Sequence, residues 1–305
     1  FRLAGVVENF EDLTDKVDAC IVATPPASHF EICKHLLDRG KHVLCEKPLT
    51  ESHTQALQLV ELAATNNVQL VVNQTRRYFP TYQKIRELIQ GGTLGELQSI
   101  TYHEGIEFDW PAAGKHHFEP NARGAWSDTG IHLLDTVCFW LNAQPKLVSV
   151  QDDGFGGPEA MVTVRLEHQG CKIELKISRL GKLPNSFEIV GTTGSIEMDV
   201  ENFNTVTVQS SAGNKIHKCS TLLKYLDLSH RVLDDFLEAT QGNGSSRAAA
   251  ASNVGVVKLL EDAYQHAERY EMPWNDGIAS QVFVGCCSAP SKPNRVLVTG
   301  ASGFL

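Results

Sequence analysis

The sequence predicts an α/β protein. A doubly wound parallel sheet, incomplete at its start, is followed by an α+β unit with a large open, mainly antiparallel sheet. Three observations predict this. Short apolar runs alternate with helix-spaced segments over residues 18–72. Runs of alternating apolar and polar residues, separated by Gly, Asn and Pro turns, fill residues 147–209. The first two apolar runs end in Pro25-Pro26 and in Glu46-Lys47-Pro48, at strand ends of the kind where open α/β sheets bind ligands.

Residues 18–24 (DACIVAT) read as a doubly buried parallel strand stopped by the prolines. Residues 28–39 carry Phe30, Cys33, Leu36 and Leu37 at helical spacing, with Ser28 as N-cap and Gly40 just past the end. Residues 42–45 form a second strand, a helix opening at Thr50 or Ser52 runs to Ala64, and residues 68–72 form a third strand. The crossovers are expected to be right-handed.

After Arg76 the pattern changes. A helix over 82–89 ends at Gly91-Gly92, residues 97–104 form a strand, and 109–125 form a polar loop. Residues 129–141 form an amphipathic helix. The runs 147–151, 160–167, 172–178, 186–190, 195–200 and 205–209 build an antiparallel sheet with one covered face. Helices over 229–240 and 248–270 close this unit, and residues 272–293, with Pro273, Pro290 and Pro293, read as a linker. The expected divisions are therefore 1–76, 77–271, the linker 272–293, and a new strand with a glycine turn over 294–305.

A chain of 305 residues has room for two domains with real cores. Its net charge of −9, without any block of like charge, argues against a nucleic-acid binder. No apolar run reaches the length of a membrane span. The N-terminus shows no signal-peptide pattern, and a start at Phe1 rather than Met is read as a missing beginning. The eight cysteines, at 20, 33, 45, 138, 171, 219, 286 and 287, form no CxxC pair. Reduced thiols in a cytoplasmic enzyme are the expectation, with Cys286 and Cys287 as spare thiols.

Three constellations carry chemistry. Thr24-Pro25-Pro26-Ala27-Ser28-His29 sits at a strand end, and the helix after it aims its amides at the crevice. The alternative is a proline-stopped strand with a capped helix. Cys45-Glu46-Lys47-Pro48 places an ammonium at the next strand end, where it would stabilise developing alkoxide charge. Glu46 would hold that lysine or contact a cofactor, and the alternative is a solvent-facing ion pair. Asp128 and His132, four apart, share one helix face, with Ile131, Leu134 and Cys138 toward a core. A neutral imidazole accepts a hydroxyl proton, and Asp128 orients the ring or a substrate hydroxyl. Against this stand an N-capping Asp128 and a packed core histidine. Lys115, His116 and His117 read as substrate-facing or solvated loop rather than metal ligands.

The stretches VDACIVATPPASH, GKHVLCEKPLT, NQTRRYFP, GTLGE, SDTGIHLLD and FEIVGTTGSIEMD resemble the Gfo/Idh/MocA oxidoreductase family over about residues 17–270. The resemblance implies a Rossmann domain, incomplete here, followed by a domain with a large open sheet. It implies NAD or NADP as cofactor and a sugar or polyol as substrate. It maps catalytic roles to Lys47, Asp128 and His132. It maps cofactor contacts to Thr24, Pro25, Pro26, His29, Glu46 and Lys47. Arg77, Arg123, Lys47 and His132 are the expected substrate contacts, and a homo-oligomer through the open sheet is expected.

Two departures stand out. The family's first βα unit, with G-x-G-x-x-G and a ribose-reading acid, would need roughly 50 more residues; its absence is read as truncation, and NAD versus NADP is left open. Ala125-Trp126 also replaces a more glycine-rich stretch before Ser127-Asp128. At the other end, VLVTGASGFL resembles the first turn of extended short-chain dehydrogenases or NAD-dependent sugar epimerases. A fusion of two nicotinamide enzymes is therefore expected.

The expected activity is reversible oxidation of a secondary hydroxyl on a sugar, cyclitol or sugar derivative. Two other readings are a dinucleotide-binding, sugar-sensing regulator without turnover, and an NAD-dependent lyase or hydrolase with transient oxidation.

Overall fold

Strand pairing decides which residues of this chain share a surface. The computed structural model describes residues 7–107, 122–154, 157–220 and 225–271. The first sheet is parallel and three-stranded, in the order β1 (Ala19–Val22), β2 (His42–Cys45), β3 (Leu70–Val72). A short α1 (Glu11–Thr14) precedes it, and α2 (His29–Asp38) and α3 (His53–Thr65) make the crossovers.

Side-chain alternation on β2 and β3 shows that both faces are covered. Val43, Cys45, Leu70 and Val72 pack with Cys33 and Leu37 of α2 and Leu59 of α3. Leu44 and Val71 point the other way, against Val232 and Phe236 of α6 (Tyr225–Thr240). That second cover arrives from more than 150 positions downstream. The expectation of a doubly buried first strand is corrected. β1 lies at the sheet edge, and Ile21 is 60% exposed.

The second sheet has seven strands in the order β12-β5-β6-β7-β4-β8-β9. Its members are β4 (Leu97–Gly105), β5 (Lys146–Asp152), β6 (Met161–His168), β7 (Cys171–Ser178), β8 (Ser186–Gly191), β9 (Ser195–Asp199) and β12 (Ala267–Arg269). β10 (Thr205–Val208) and β11 (Lys215–Lys218) form a separate antiparallel ribbon. The sheet is mainly antiparallel, as expected, and two of its pairs, β4–β7 and β12–β5, run parallel. The carboxyl ends of β4 and β7 therefore reach the same edge.

One face of this sheet is covered by α4 (Pro80–Gln90) and α5 (Ile131–Leu141). Tyr82, Trp140, Tyr102 and Phe187 form an aromatic cluster there, with Trp140 and Phe187 rings 4.8 Å apart. The opposite face exposes Arg165, Glu167, Lys172, Glu188 and Glu197. Charge of both signs, not a contiguous apolar patch, characterises that surface.

The predicted helix over 248–270 is three elements: a 3-10 turn at Ala250–Asn253, α7 (Val254–Gln265), and the edge strand β12. The turn joins the first sheet. Val72 N donates to Ala248 O at 3.0 Å, and Ala250 and Val257 enter the core of α2 and α3. The described elements through Arg269 accordingly belong to one compact unit, Phe1–Arg269. The expected linker and the glycine turn over 294–305 lie outside the described residues, as do Cys286 and Cys287.

A buried polar node joins three segments. Arg77, in the 3-10 turn after β3, donates to Asp135 of α5 through Nε (2.9 Å to Oδ2) and Nη2 (2.5 Å to Oδ1). Arg77 Nη1 donates to Ser252 Oγ at 2.6 Å and to Arg247 O at 3.1 Å. Asn253 donates through Nδ2 to Asp135 Oδ1 at 3.4 Å and accepts from Gln74 Nε2 through Oδ1 at 3.0 Å. Both charged side chains are almost fully buried, so each needs the other. Asp135→Ala, which strands the guanidinium, is expected to lower unfolding free energy by about 3–5 kcal/mol. Urea denaturation checks this; a change within the range of ordinary surface substitutions would mean that the pair does not dock α5.

Candidate functional site

The carboxyl ends of β1 and β2 open onto a cleft of about 540 Å³. Thr24, Pro25 and Pro26 form one wall, Glu46 and Lys47 a second, and Arg123, Ser127 and Asp128 a third. Ser28 Oγ lies 2.7 Å from Thr24 Oγ1, which steadies the first wall. Glu46 accepts from Asn73 Nδ2 at 2.6 Å and from the Lys47 amide at 3.3 Å, so the end of β3 positions the second.

His29 does not line this cleft. Its ring is fully buried, with Nδ1 2.7 Å from Pro48 O and Nε2 2.8 Å from Thr24 O. It braces the two strand-end loops from behind, which corrects the expectation of a direct cofactor contact.

Lys47 and the start of α5 meet across the cleft. Lys47 Nζ donates to Asp128 Oδ1 at 2.8 Å and to Asp128 O at 2.5 Å. Arg179, just past the end of β7, pairs with the other carboxylate oxygen, Oδ2. Asp128 is thus held by a cation on each side, yet 45% of its side chain remains accessible. His132 lies one helical turn on. Burial pushes its pKa well below the ordinary histidine value, and the charges of Lys47 and then Arg76 push it the same way. Its Nδ1 is buried with no hydrogen-bond partner among the described residues.

The backbone that presents Asp128 is a π turn, Trp126–Gly130, leading into α5. Asp128 therefore sits inside the helical run and is no N-cap. Trp126 explains the glycine. A Cβ on Gly130 would fall 2.0 Å from the indole Cε3, so only glycine fits over the buried ring. The Ala125-Trp126 departure thus makes a packed floor for the turn. Glu159 anchors the turn from below. It accepts from Gly124 N at 3.0 Å, Trp126 N at 2.9 Å and Tyr264 Oη at 2.7 Å. Burial raises its pKa, and those three donors oppose the rise.

The two adjacent arginines of NQTRRYFP have different places. Arg77 is the buried node described above and does not reach the cleft, which corrects its expected role as a substrate contact. Arg76 faces the end of β4 instead. It pairs with both oxygens of Glu104, donates to Tyr102 Oη at 2.5 Å, and adds its charge to the field at His132. Arg123 does line the cleft. Its Nη2 donates to Glu51 O at 3.0 Å, its guanidinium lies 4.7 Å from the Tyr264 ring centre, and its Nη1 is buried without a partner among the described residues.

Arg179, Arg76, Asn73 and Glu159 had escaped the sequence reading. Each is positioned by strand order or a long-range contact, and Arg179 reaches Asp128 because β7 packs against the π turn. The sole local signal is that Arg179 directly follows a predicted strand. Lys115, His116 and His117 lie outside the described residues. Among the described residues no helix is long and apolar enough to cross a membrane.

The fold and the strand-end cleft define a Rossmann-type dinucleotide oxidoreductase architecture. Residues 1–74 match the family described as the GFO_IDH_MocA oxidoreductase family, NAD-binding Rossmann fold. Residues 82–197 match the GFO/IDH/MocA C-terminal domain. The chain carries both domains of that family, the first of which is NAD-binding. It is similar to an uncharacterised oxidoreductase of Schizosaccharomyces pombe, 35% identical over 39% of this chain and 32% of that protein. It also resembles dTDP-3,4-didehydro-2,6-dideoxy-alpha-D-glucose 3-reductase of Actinomadura kijaniata, 28% identical over 61% of this chain and 56% of that one. The chain thus spans only part of the length of these curated relatives. Among solved structures, a 3-ketoreductase from Actinomadura kijaniata, in complex with NADP and TDP-benzene, shares the fold. Its TM-score is 0.75, with 22% identity, over 88% of this chain and 84% of that one.

Glu159→Gln replaces one of two accepting oxygens with a donor facing a backbone N–H. A loss of about 1–3 kcal/mol in unfolding free energy is expected, measured by chemical denaturation. Equal stability of the two proteins would mean that the π turn does not depend on this carboxylate.

Proposed function

We propose that this chain belongs to a dehydrogenase that reversibly oxidises a secondary hydroxyl of a sugar, cyclitol or sugar derivative with NAD or NADP. One observation carries the reading: Lys47 from the nucleotide half and Asp128 from the sheet half meet in a single cleft, with His132 one helical turn beyond Asp128 and within the field of Lys47. The cleft suits the cofactor's reactive end. Prolines and alanines wall it beside strand-end polar groups, and one buried polar atom of its lining, Arg123 Nη1, lacks a partner among the described residues. Thr24, Pro25, Pro26 and Glu46 are the residues that would hold the nicotinamide portion. When bound, that ring supplies the hydride acceptor.

Lys47 uses two N–H donors on Asp128, which leaves the third for a substrate oxygen. Asp128, clamped by Lys47 and Arg179, fixes the direction of that third donor and offers an accessible carboxylate edge to a neighbouring hydroxyl. His132, kept neutral by burial and nearby cations, accepts the hydroxyl proton. Preorganised charge around the reacting oxygen accounts for the rate gain. The similarity to a sugar-nucleotide 3-reductase supports the substrate class.

Lys47→Met is expected to lower kcat for polyol-dependent nicotinamide reduction by about 100-fold or more. Assays across a sugar and polyol panel check it, and unchanged turnover would end the assignment. Dinucleotide binding without turnover on any polyol would return the sensor reading, while product formation without reduced cofactor would return the lyase reading.

His132 supplies a second prediction, with a definite sign. Its pKa is depressed, so the neutral, proton-accepting form persists as pH falls through 6.5, the ordinary histidine value. The acidic limb of kcat/KM for oxidation should lie below that value. In the reducing direction the protonated form is required, so the rate should fall as pH rises past the same depressed value. A limb centred at or above the ordinary value would remove His132 as the base.

A further inference from the structure

A second cavity, of about 530 Å³, has a character unlike that of the catalytic cleft. It lies where α4, the end of α5 and the start of α7 converge. Arg77, Arg86 and Arg247 line it, and no lining residue is Asp or Glu. This is unusual for a chain whose net charge is −9.

The three arginines differ in how they are neutralised. Arg77 has its carboxylate, Asp135, on the buried side. Arg86 and Arg247 have no ion-pair partner among the described residues. Both are nevertheless held in place. The Arg86 guanidinium stacks 4.5 Å from the Phe139 ring centre and donates to Asn142 Oδ1 at 2.7 Å. Arg247 lies 5.3 Å from the Tyr78 ring centre, and its backbone N–H donates to Asp235 at 3.0 Å. The pKa of Arg86 is lowered, by burial first and then by the charges of Arg77 and Arg247. Of these crowded like charges, only Arg77 has a carboxylate partner among the described residues. The N-terminus of α7, twelve residues long, opens here at Gly255 and Val256 without a side-chain cap. Its N-cap residue, Asn253, turns instead to Asp135 and Gln74. The helix dipole adds to the positive field.

We propose that this cavity is a phosphoryl-anion site, in which Arg86 and Arg247 grip a phosphate group beside the N-terminus of α7. Fixed, planar guanidinium groups suit phosphate oxygens, and stacking on aromatic rings presets their orientation. The volume accommodates a phosphate together with a small organic body. The occupant is free phosphate or the ester of a small metabolite. The site is separate from the Lys47 cleft and does not rest on the dehydrogenase reading.

Inorganic phosphate is the probe, titrated at constant ionic strength against chloride, with ³¹P line broadening and the thermal midpoint as readouts. Saturable broadening and a rising midpoint are expected for the unaltered protein. Arg247→Gln, on the exposed side, and Arg86→Gln should each weaken binding about tenfold or more. Arg165→Gln, on the opposite sheet face, should leave it unchanged. Retained folding of each variant is read from its circular dichroism. Tighter binding of glycerol 3-phosphate than of phosphate identifies an ester as the occupant; equal or weaker binding identifies phosphate itself, and both support the site. No saturable response, or equal affinity in the Arg247 variant, overturns it.

Discussion

Helix α5 is docked on the parallel sheet by two ion pairs, one near each end of a two-turn interval. Lys47, after β2, meets Asp128; Arg77, after β3, meets Asp135. Two successive strand ends thus grip two successive turns of one helix face. The geometry of the cleft follows from that double attachment. With α5 pinned, His132 falls between the two pairs, within the field of Lys47 and Arg76.

The two pairs do different work because their surroundings differ. Arg77 and Asp135 are sealed from water, and their remaining hydrogen-bonding capacity is filled by Ser252, Arg247 O and Asn253. A buried pair is strongly disfavoured once one partner is lost, so this contact enforces the relative placement of β3, α5 and the turn before α7. The Lys47–Asp128 pair is partly open. It has a spare ammonium proton and an accessible carboxylate edge, which are properties of a site that engages a further molecule. An exposed ion pair of this kind adds little to stability by itself. Its place is set by the Glu159-anchored π turn and by Arg179.

Cations near His132 and between α4 and α7 stand out against an acidic chain. At His132 they depress the imidazole's basicity and keep it neutral, and neighbouring Asp128 and Glu104 balance the lysine and arginine charges. Between α4 and α7 the balance is missing: two aromatic-stacked guanidinium groups face a cavity without a carboxylate. Crowded like charge raises the free energy of a fold unless something answers it. That contrast is what separates the two cavities chemically.

The sequence by itself determined the local elements, because their causes are local. Residues 42–45 were read as a strand, and His42–Cys45 is one. Prolines marked the end of β1 and the loop after β2, and the four-residue spacing of Asp128 and His132 placed both on one helical run. The Lys47, Asp128 and His132 constellation was likewise legible as a set of residue types at strand and helix ends. Only the tertiary structure decided which of them meet and what surrounds them. The packing of β7 against the π turn brings Arg179 to Asp128. The return of residues 248–257 onto β3 buries Arg77, and the bracing of Thr24 O and Pro48 O turns His29 away from the cleft. These outcomes depend on strand order and on contacts between residues more than 170 positions apart, as in Arg77 to Ser252 and Gln74 to Asn253. Hydrophobic periodicity carries no information about pairings at that range, so they had to be read from the folded chain.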